Sequence, residues 1–445
     1  MVSVMSFLKV LAVAVFAWFC ASAAERHVVL VSIDGLAGFY LDDGRAYLPT
    51  LRRLAREGAV SNSMVVTFPS ATWPSHTTLI TGVSPARHGI LGNTVYDRST
   101  GRQVTYIGDP ELTKEECVRA PTLYDAAHKA GLRTASIIWP ATAGANTLHW
   151  AIPDSNRREV LERHTTPGLE RELEAAGISL APLPRWGWQK EYAGPRDLIY
   201  ARVAEYLLLK HRPHLLLVHL IAPDGHQHSW GPRSEEAYWA LGAADDRIRQ
   251  IWEAMQTPAL AGKSTLVVVS DHGFAEYDRL IYPNVLIKQM GLEGKAIFHA
   301  GVGGVYVLDR SDVAGMVGRL KSRLAAVEGV DRVLAAEEFT ELGLPHPEKN
   351  PQQPDLMLSA KPGYYFSGDA KAAAVTSPPG ERRGAHGHLP DQPFAHAMFL
   401  AAGSGVKPGV RLGKISSKDV APTLAALLGI KLPSAEGRPL REIVR

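Results

Sequence analysis

The sequence contains little cysteine and no block of like charge. Its 445 residues include two cysteines, Cys20 and Cys117, and Cys20 lies in an N-terminal segment that is expected to be removed. A single remaining cysteine excludes an internal disulfide, so a packed core must supply the stability. The formal net charge is +3, and no long basic run is present. Binding to a nucleic-acid polymer through bulk charge is therefore not indicated.

Long apolar runs are also missing, except near the N-terminus. Lys9 precedes an apolar stretch at residues 10–19, and small residues follow it. The stretch is short compared with the roughly 20 residues of a membrane-spanning helix. Residues 1–24 are therefore expected to be a secretory signal peptide rather than a retained anchor. We expect one catalytic domain over residues 25–445, a periplasmic or secreted location, and no transmembrane segment after cleavage.

Three apolar runs in the remaining chain each lead to an aspartate. Residues 28–33 end at Asp34, residues 215–220 lead through a short linker to Asp224, and residues 266–270 end at Asp271. Apolar runs rich in β-branched residues are typical of strands buried on both faces, and hence of a parallel sheet. Ligands of such sheets bind at the carboxyl ends of the strands. These three acids are therefore candidates for an active site.

Strand-like and helix-like segments alternate over most of the chain. This alternation predicts the α/β class, with a parallel sheet covered by helices on both faces. Two stretches depart from it. Residues from about 151 to 195 are polar and contain several prolines and tryptophans, which predicts an excursion over the sheet rather than a core element. Residues from about 275 to 380 predict a small α+β insertion beside the main sheet.

Histidines lie close to two of the acids and in a later glycine-rich loop. His226 and His228 follow Asp224 in a predicted loop, and His272 follows Asp271 directly. Gly273 would allow the chain to turn there, so that both neighbours reach one site. The glycine-rich loop at 384–388 contributes His386 and His388. Aspartate and histidine together suit zinc, and also manganese or iron, so the sequence predicts a metal site.

A hydroxyl-rich segment, residues 67–76, follows a predicted strand and precedes a predicted helix. A hydroxyl at a helix N-terminus lies in a positive potential beside free backbone amides, which favours phosphate binding. A bound metal would lower the pKa of that hydroxyl further. Ser70, Thr72 and Ser75 all qualify as nucleophiles. Helix capping is the alternative role for each of them, and spacing alone does not choose among the three.

Taken together, these blocks resemble the alkaline phosphatase superfamily and, within it, the nucleotide pyrophosphatase/phosphodiesterase family. The motifs are F-P-S-x-T-x-P-x-H at 68–76, G-I-x-x-N-x-x-Y-D at 89–97, P-D-x-x-x-H-x-x-G-P at 223–232, D-H-G at 271–273 and G-x-H-G at 384–387. A W-P-G element is present as Trp139 and Pro140, although Ala141 replaces its glycine. The resemblance implies a three-layer α/β/α sandwich with a mostly parallel central sheet.

The resemblance also implies roles for individual residues. Thr72 matches the nucleophile, and Asn93 matches the residue that binds a phosphate oxygen. Two zinc ions are implied: one held by Asp224, His228 and His386, the other by Asp34, Asp271, His272 and the Thr72 hydroxyl. His226 and His388 are then left outside the ligand set. The implied activity is hydrolysis of phosphodiester or pyrophosphate bonds in a small-molecule or nucleotide substrate, through a phospho-threonine intermediate.

Related activities remain as alternatives. A sulfatase is disfavoured because its C/S-x-P-x-R pattern would need arginine where this chain has His76. A phosphonoacetate hydrolase or a phosphomonoesterase of the same superfamily stays open. A non-catalytic zinc-binding protein is a remote alternative, because no ligand or nucleophile position has been lost.

Trp73 follows the expected nucleophile directly. By the resemblance it could bind substrate by stacking on a nucleobase, an interaction worth about 1–3 kcal/mol elsewhere. A choline-type head group could use the same aromatic face through a cation–π contact. Packing against the insertion is the structural alternative for this side chain.

Overall fold

The computed structural model describes residues 26–108 and 112–445, so the predicted signal peptide lies outside the described residues. Within those ranges no helix combines the length and the hydropathy that a membrane span requires. The strands are β1 (His27–Ile33), β2 (Ala59–Val65), β3 (Thr94–Asp97), β4 (Arg102–Thr105), β5 (Thr134–Ile137), β6 (Trp150–Ile152), β7 (Leu215–Leu220), β8 (Ser264–Val269), β9 (Ala275–Ile281), β10 (Ala296–His299), β11 (Gly304–Val307), β12 (Val330–Leu334), β13 (Leu356–Ala360), β14 (Gly363–Phe366), β15 (Arg383–Ala385), β16 (Ala397–Gly403), β17 (Val410–Arg411) and β18 (Ile415–Ser416).

The α-helices span Pro49–Glu57, Thr72–Thr81, Pro85–His88, Lys114–Cys117, Leu123–Lys129, Arg158–His164, Leu169–Ala175, Pro182–Trp186, Ala193–Lys210, Ala222–Trp230, Glu235–Met255, Pro283–Gln289, Val313–Ala325, Ala336–Phe339 and Val420–Leu428. Most of the predicted segments coincide with these elements to within a few residues. The helix predicted to follow residues 67–76 instead begins within that segment, at Thr72.

The central sheet has the order β17-β2-β16-β8-β1-β7-β5-β6, with β18 also paired to β2. β1 is parallel to both of its neighbours, β7 and β8, and β5 is parallel to β7 and β6. β16 runs antiparallel to β8 and β2. The sheet is therefore mostly parallel, as predicted.

Alternate residues of the central strands face two separate cores. Val29 and Val31 of β1 pack in one core with helices Ala193–Lys210 and Glu235–Met255. Val28 and Leu30 pack in the other, with helix Val420–Leu428. Burial on both faces explains why the central strands are continuously apolar rather than alternating. The predicted three-layer α/β/α architecture is confirmed.

The chain between β8 and β16 forms smaller sheets beside the central one. β10, β11, β13 and β12 form a four-stranded sheet, and β14, β9 and β15 form a three-stranded one. The four-stranded sheet shares its own core with helix Val313–Ala325, which buries Leu320 against Phe298 and Leu356. The region predicted as a small α+β insertion, residues from about 275 to 380, therefore has a hydrophobic core of its own.

The prediction for residues 151–195 was wrong in one respect. The segment begins within β6, the edge strand of the central sheet. It also buries Leu161, Leu169, Leu173 and Leu183 in the main core. The buried leucines of this segment lie on three short helices. The polar and proline-rich residues between those helices led to the wrong prediction that the segment lies outside the core.

Candidate active site

Adjacent parallel strands bring the three aspartates to one edge of the sheet. Asp34 directly follows β1, Asp271 lies two residues beyond β8, and β7 leads to Asp224. β7, β1 and β8 are neighbours in that order, so their carboxyl ends meet. Asp224 and His228 were predicted in a loop, which was wrong. They lie on helix Ala222–Trp230, one turn apart, and therefore share a face of that helix.

A buried acid holds this helix at its start. Asp197 accepts hydrogen bonds from the backbone N–H groups of Ile221 and Ala222 at 2.9 and 3.0 Å. These are amides that the first turn of a helix leaves without a partner. Asp197 comes from helix Ala193–Lys210, so the packing of two helices sets where Asp224 and His228 lie.

The predicted ligand residues converge in two overlapping groups. Asp224, His228 and His386 place ligand atoms within 4.8 Å of one another, and so do Asp34, Asp224 and His272. Asp271 also belongs here, since its Oδ2 lies 3.1 Å from the Nε2 of His272. Asp224 therefore lies between the two groups. The family resemblance had implied it for the first group alone.

Several of the converging atoms are buried without a partner. Within the described part of the chain, Oδ1 of Asp34, Oδ1 of Asp224, Oδ2 of Asp271 and Nε2 of His272 form no hydrogen bond. Burying so many polar atoms without compensation would be costly. A pair of divalent cations would satisfy them, so these residues fit two metal ions.

Backbone carbonyls orient two of the imidazoles so that they could bind a metal ion. Nδ1 of His228 lies 2.9 Å from the carbonyl oxygen of Gly384, and Nδ1 of His386 lies 2.8 Å from that of Ser70. A proton on Nδ1 donates to each carbonyl and leaves the Nε2 lone pair free toward Asp224. Outer hydrogen bonds of this kind are typical of metal-binding histidines.

The electrostatics of the site also favour a cation. Burial, together with the charges of Asp271 and Asp224, raises the pKa of the Asp34 carboxyl well above its usual range. Burial lowers the pKa of His386 to about 3 and that of His272 to about 4. These two imidazoles are therefore neutral at neutral pH, whereas the neighbouring Asp224 raises the pKa of His228. A bound divalent cation would lower the pKa of the neighbouring carboxyls and so favour their ionised form.

Sequence reasoning missed His219, which positions one of the acids. It lies within β7, and its Nε2 is 3.0 Å from Oδ2 of Asp34. This contact leaves Oδ1 of Asp34 toward the neighbouring group, 3.3 Å from Nε2 of His272. A histidine inside an otherwise apolar buried strand was the signal that could have revealed it.

The His219→Leu variant is expected to bind metal about 10–100-fold more weakly, because losing the N–H donor frees Asp34 to turn. The His219→Gln variant, which keeps a donor, should lie between this variant and the wild type. Competition with a chelator of known affinity measures the effect. Unchanged metal affinity in His219→Leu would show that Asp34 does not need this contact.

Thr72 is the first residue of helix Thr72–Thr81 and is buried. It lines a cleft of about 260 Å³ together with Asp34 and Asp224. Neither Ser70 nor Ser75 lines this cleft. The Oγ of Ser70 instead donates to the carbonyl oxygen of His388 and accepts from the N–H of Gly387. Of the three candidate hydroxyls, only Thr72 is placed beside the carboxylates.

Asn93 lies next to the same helix N-terminus. Its Oδ1 accepts a hydrogen bond from the backbone N–H of Trp73 at 2.9 Å. This contact fixes the orientation of the side-chain amide, so its NH₂ group is the end available to a ligand. Asn93 lines a second cleft of about 240 Å³ with His228 and His386, where an amide donor can meet a phosphate oxygen.

The structure favours packing over substrate stacking for Trp73. The side chain is 2% exposed and belongs to a core cluster with Phe68 and Ile90. Its indole N–H donates to Oδ2 of Asp154 at 3.1 Å, and its ring lies 5.9 Å from that of Tyr106. Almost none of its aromatic face is left for a nucleobase or a choline group.

Other predicted details have a different physical basis. His226 is buried, and its Nδ1 lies 2.8 Å from the carbonyl oxygen of Ala222, so it stays outside the ligand groups.

A Cβ on Gly273 would lie 2.1 Å from the carbonyl oxygen of Phe394. Glycine is therefore needed here for close approach of two chains rather than for a turn. Cys117 is buried and free, and burial raises the pKa of its thiol to about 12, as suits a structural residue.

Residues 28–389 match the type I phosphodiesterase/nucleotide pyrophosphatase family. The chain belongs to this family. Human ectonucleotide pyrophosphatase/phosphodiesterase family member 1 is 25% identical over 248 residues, which cover 56% of this chain and 23% of that protein. Family member 7 of Rattus norvegicus is 22% identical over 425 residues, covering 93% of this chain and 86% of that protein. The match to human member 1 thus spans about a quarter of that relative's length.

Solved structures share the fold at low sequence identity. Murine ectonucleotide pyrophosphatase/phosphodiesterase 5, as an inactive variant in complex with AMP, superposes with a TM-score of 0.71 at 18% identity, covering 94% of this chain and 100% of that one. The alkaline phosphatase PafA superposes with a TM-score of 0.74 at 17% identity, covering 94% and 98%. These likenesses support the alkaline phosphatase-like fold of this family member.

Proposed function

We propose that this chain is a two-metal hydrolase of phosphodiester or pyrophosphate bonds, with Thr72 as its nucleophile. One observation carries the proposal. A threonine hydroxyl at a helix N-terminus lines the same cleft as Asp34 and Asp224, which belong to two converging ligand groups. Membership of the phosphodiesterase/pyrophosphatase family supports the reaction class.

Zinc is the metal that we propose, because neutral imidazole and carboxylate ligands suit it. One group would consist of Asp224, His228 and His386, and the other of Asp34, Asp271, His272 and the Thr72 hydroxyl, with Asp224 lying between the two. When bound, the ions supply positive charge that neutralises the phosphate and lowers the pKa of a coordinated hydroxyl.

The side chains of this protein would divide the chemistry as follows. The Thr72 hydroxyl would lose its proton to water and its Oγ would attack phosphorus, the bond to the departing oxygen would break, and a phospho-threonine intermediate would result. Water then releases the phosphoryl group and restores Thr72. The NH₂ group of Asn93 donates a hydrogen bond to a non-bridging oxygen, whose charge grows during the attack.

The two clefts support a diester substrate. The insertion-side cleft, of about 240 Å³, is lined by Asn93, His228, His386 and residues of the insertion. The helix-side cleft, of about 260 Å³, is lined by Thr72, Asp34, Asp224 and residues of 188–196. A diester has two organic groups on phosphorus, and each cleft has room for one of them. A nucleotide-type substrate is consistent with the AMP complex of the murine relative.

A phosphomonoesterase is the second candidate, because cations line the helix-side cleft. Lys190 and Arg196 lie on its wall. The Nζ of Lys190 stands 4.4 Å from the centre of the Trp230 ring. Positive charge near Thr72 would favour the additional negative charge of a monoester.

Rates on matched substrates distinguish these candidates. We expect the zinc-loaded protein to hydrolyse bis(4-nitrophenyl) phosphate at least about 10-fold faster, in kcat/KM, than 4-nitrophenyl phosphate or an aryl phosphonate. The physical reason is that two occupied clefts contribute more binding energy than one. Faster hydrolysis of the monoester would instead indicate that Lys190 and Arg196 bind the phosphate group.

For its location, we propose the periplasm or the extracellular space. The proposal rests on the signal-peptide pattern of residues 1–24 and on the ectoenzyme names of the relatives. Cleavage would then leave residues 25–445 of this chain as a catalytic domain that includes the insertion at about 275–380.

A further inference from the structure

Tyr365 is a polar residue of the insertion-side cleft that the proposed chemistry does not use. It lies on β14 within the insertion and lines that cleft together with Asn93, His228 and His386. In the described part of the chain its hydroxyl has no hydrogen-bond partner, and its ring lies 5.3 Å from that of Tyr277. Phenol hydroxyls in protected positions usually find a partner, so this one is available to a ligand.

The position of Tyr365 relative to Thr72 defines what such a ligand would be. Thr72 lines the helix-side cleft, whereas Tyr365 lines the insertion-side cleft. Displacement at phosphorus is in line, so the departing oxygen leaves on the side opposite the attacking one. With Thr72 attacking from the helix-side cleft, the insertion-side cleft is the one left for the departing group.

We propose that the insertion-side cleft is the subsite for the leaving group and that the Tyr365 hydroxyl donates a hydrogen bond to the departing oxygen. The inference rests on the proposed function, because it takes Thr72 as the nucleophile. The Thr72 hydroxyl gives its proton to water as its Oγ bonds to phosphorus, and the bond from phosphorus to the leaving oxygen breaks. The electron pair stays on that oxygen, Tyr365 keeps its proton, and water protonates the released alkoxide or phenoxide.

Two further observations suit this role. Burial raises the pKa of Tyr365 to about 12, so the phenol stays protonated and remains a donor over the working pH range. The cleft also has an apolar wall, formed by Val302, Leu358 and Phe366 of the insertion. A donor in a partly apolar cleft stabilises developing charge more strongly than a donor in water. The departing group that fits is an alcohol or phenol with an apolar body.

The test is the Tyr365→Phe variant on a series of aryl and alkyl esters with leaving groups of increasing basicity. We expect kcat/KM to fall about 100-fold for an alkyl or phenyl leaving group and less than about 3-fold for 4-nitrophenol, which needs little help to depart. Zinc content should equal that of the wild type. Tyr277→Phe is the matched control, because its ring lies 5.3 Å from that of Tyr365 but, among the described residues, it does not line the cleft.

A loss that is equal for all leaving groups, or no loss, would overturn the inference. Loss of zinc from Tyr365→Phe would also overturn it, because the residue would then support the metal site instead. Failure of the proposed diesterase function would look different. If the wild type cleaves only monoesters, the same leaving-group series is run with aryl monoesters, and the ratio between variant and wild type still tests Tyr365.

Discussion

The Thr72→Ala variant is expected to lose turnover while still binding two metal ions per chain. Removing the nucleophile of a covalent mechanism typically costs about 10⁴-fold or more in kcat. The carboxylate and imidazole atoms of the two ligand groups stay in place in this variant, so metal binding should persist. Metal analysis together with steady-state kinetics on an aryl phosphodiester measures both quantities in one preparation.

Two variants make this experiment specific. Thr72→Ser keeps a hydroxyl at the helix N-terminus and should retain part of the activity. Ser75→Ala removes another buried hydroxyl from the first turn of the same helix. The Ser75 hydroxyl has no hydrogen-bond partner in the described residues and does not line the cleft with Thr72, so near-normal turnover is expected. A fully active Thr72→Ala protein would refute the nucleophile assignment, and an inactive wild type that binds zinc would favour the non-catalytic alternative.

Complete removal of metal is expected to abolish hydrolysis, with a loss of about 10³-fold or more, and added zinc should restore it. Without the ions, the aspartates at the ends of β1, β7 and β8 would repel one another and the phosphate. Burial already opposes ionisation of Asp34 and raises its pKa. Dialysis against a chelator, followed by zinc titration with activity as the readout, tests the expectation. Full activity in protein shown to be metal-free would contradict it.

The Asp224→Asn variant extends this test to one residue. Because Asp224 belongs to both ligand groups, its loss should lower the zinc content of both sites rather than of one. Asp245→Asn is the matched control. Asp245 is also buried, but it accepts hydrogen bonds from the N–H groups of Thr50 and Leu51, away from the site. It should lower stability and leave the zinc content unchanged.

The local sequence pattern was sufficient for the fold class and for most of the candidate site. Continuous apolar strands ending in Asp34 and Asp271 predicted a parallel sheet with acids at its carboxyl edge, and the structure has this sheet. The resemblance to the family's motifs separated His228 and His386 from His226 and His388. These features are short-range, since a strand or a metal-ligand pattern is readable within about ten residues.

Features that depend on distant contacts could not be predicted. The role of His219 needs β7 beside β1, because only that pairing brings its imidazole to Asp34. Trp73 was left with two roles, and its bond to Asp154, 81 residues away, favoured packing. The packing of residues 151–195 into the core was missed for the same reason. Whether apolar residues on short helices are buried depends on the sheet against which those helices pack.

The sequence by itself therefore determined the layered fold and the acids and histidines of the candidate site, and its resemblance to a known family proposed Thr72 among three candidate hydroxyls. The tertiary structure decided which hydroxyl lies beside the carboxylates, that Asp224 belongs to both ligand groups, and that an insertion residue, Tyr365, lines a second cleft with Asn93, His228 and His386. The physical reason is that residue type and spacing encode local geometry and chemistry. Distances between separate elements depend on how the sheet, its helices and the insertion pack together.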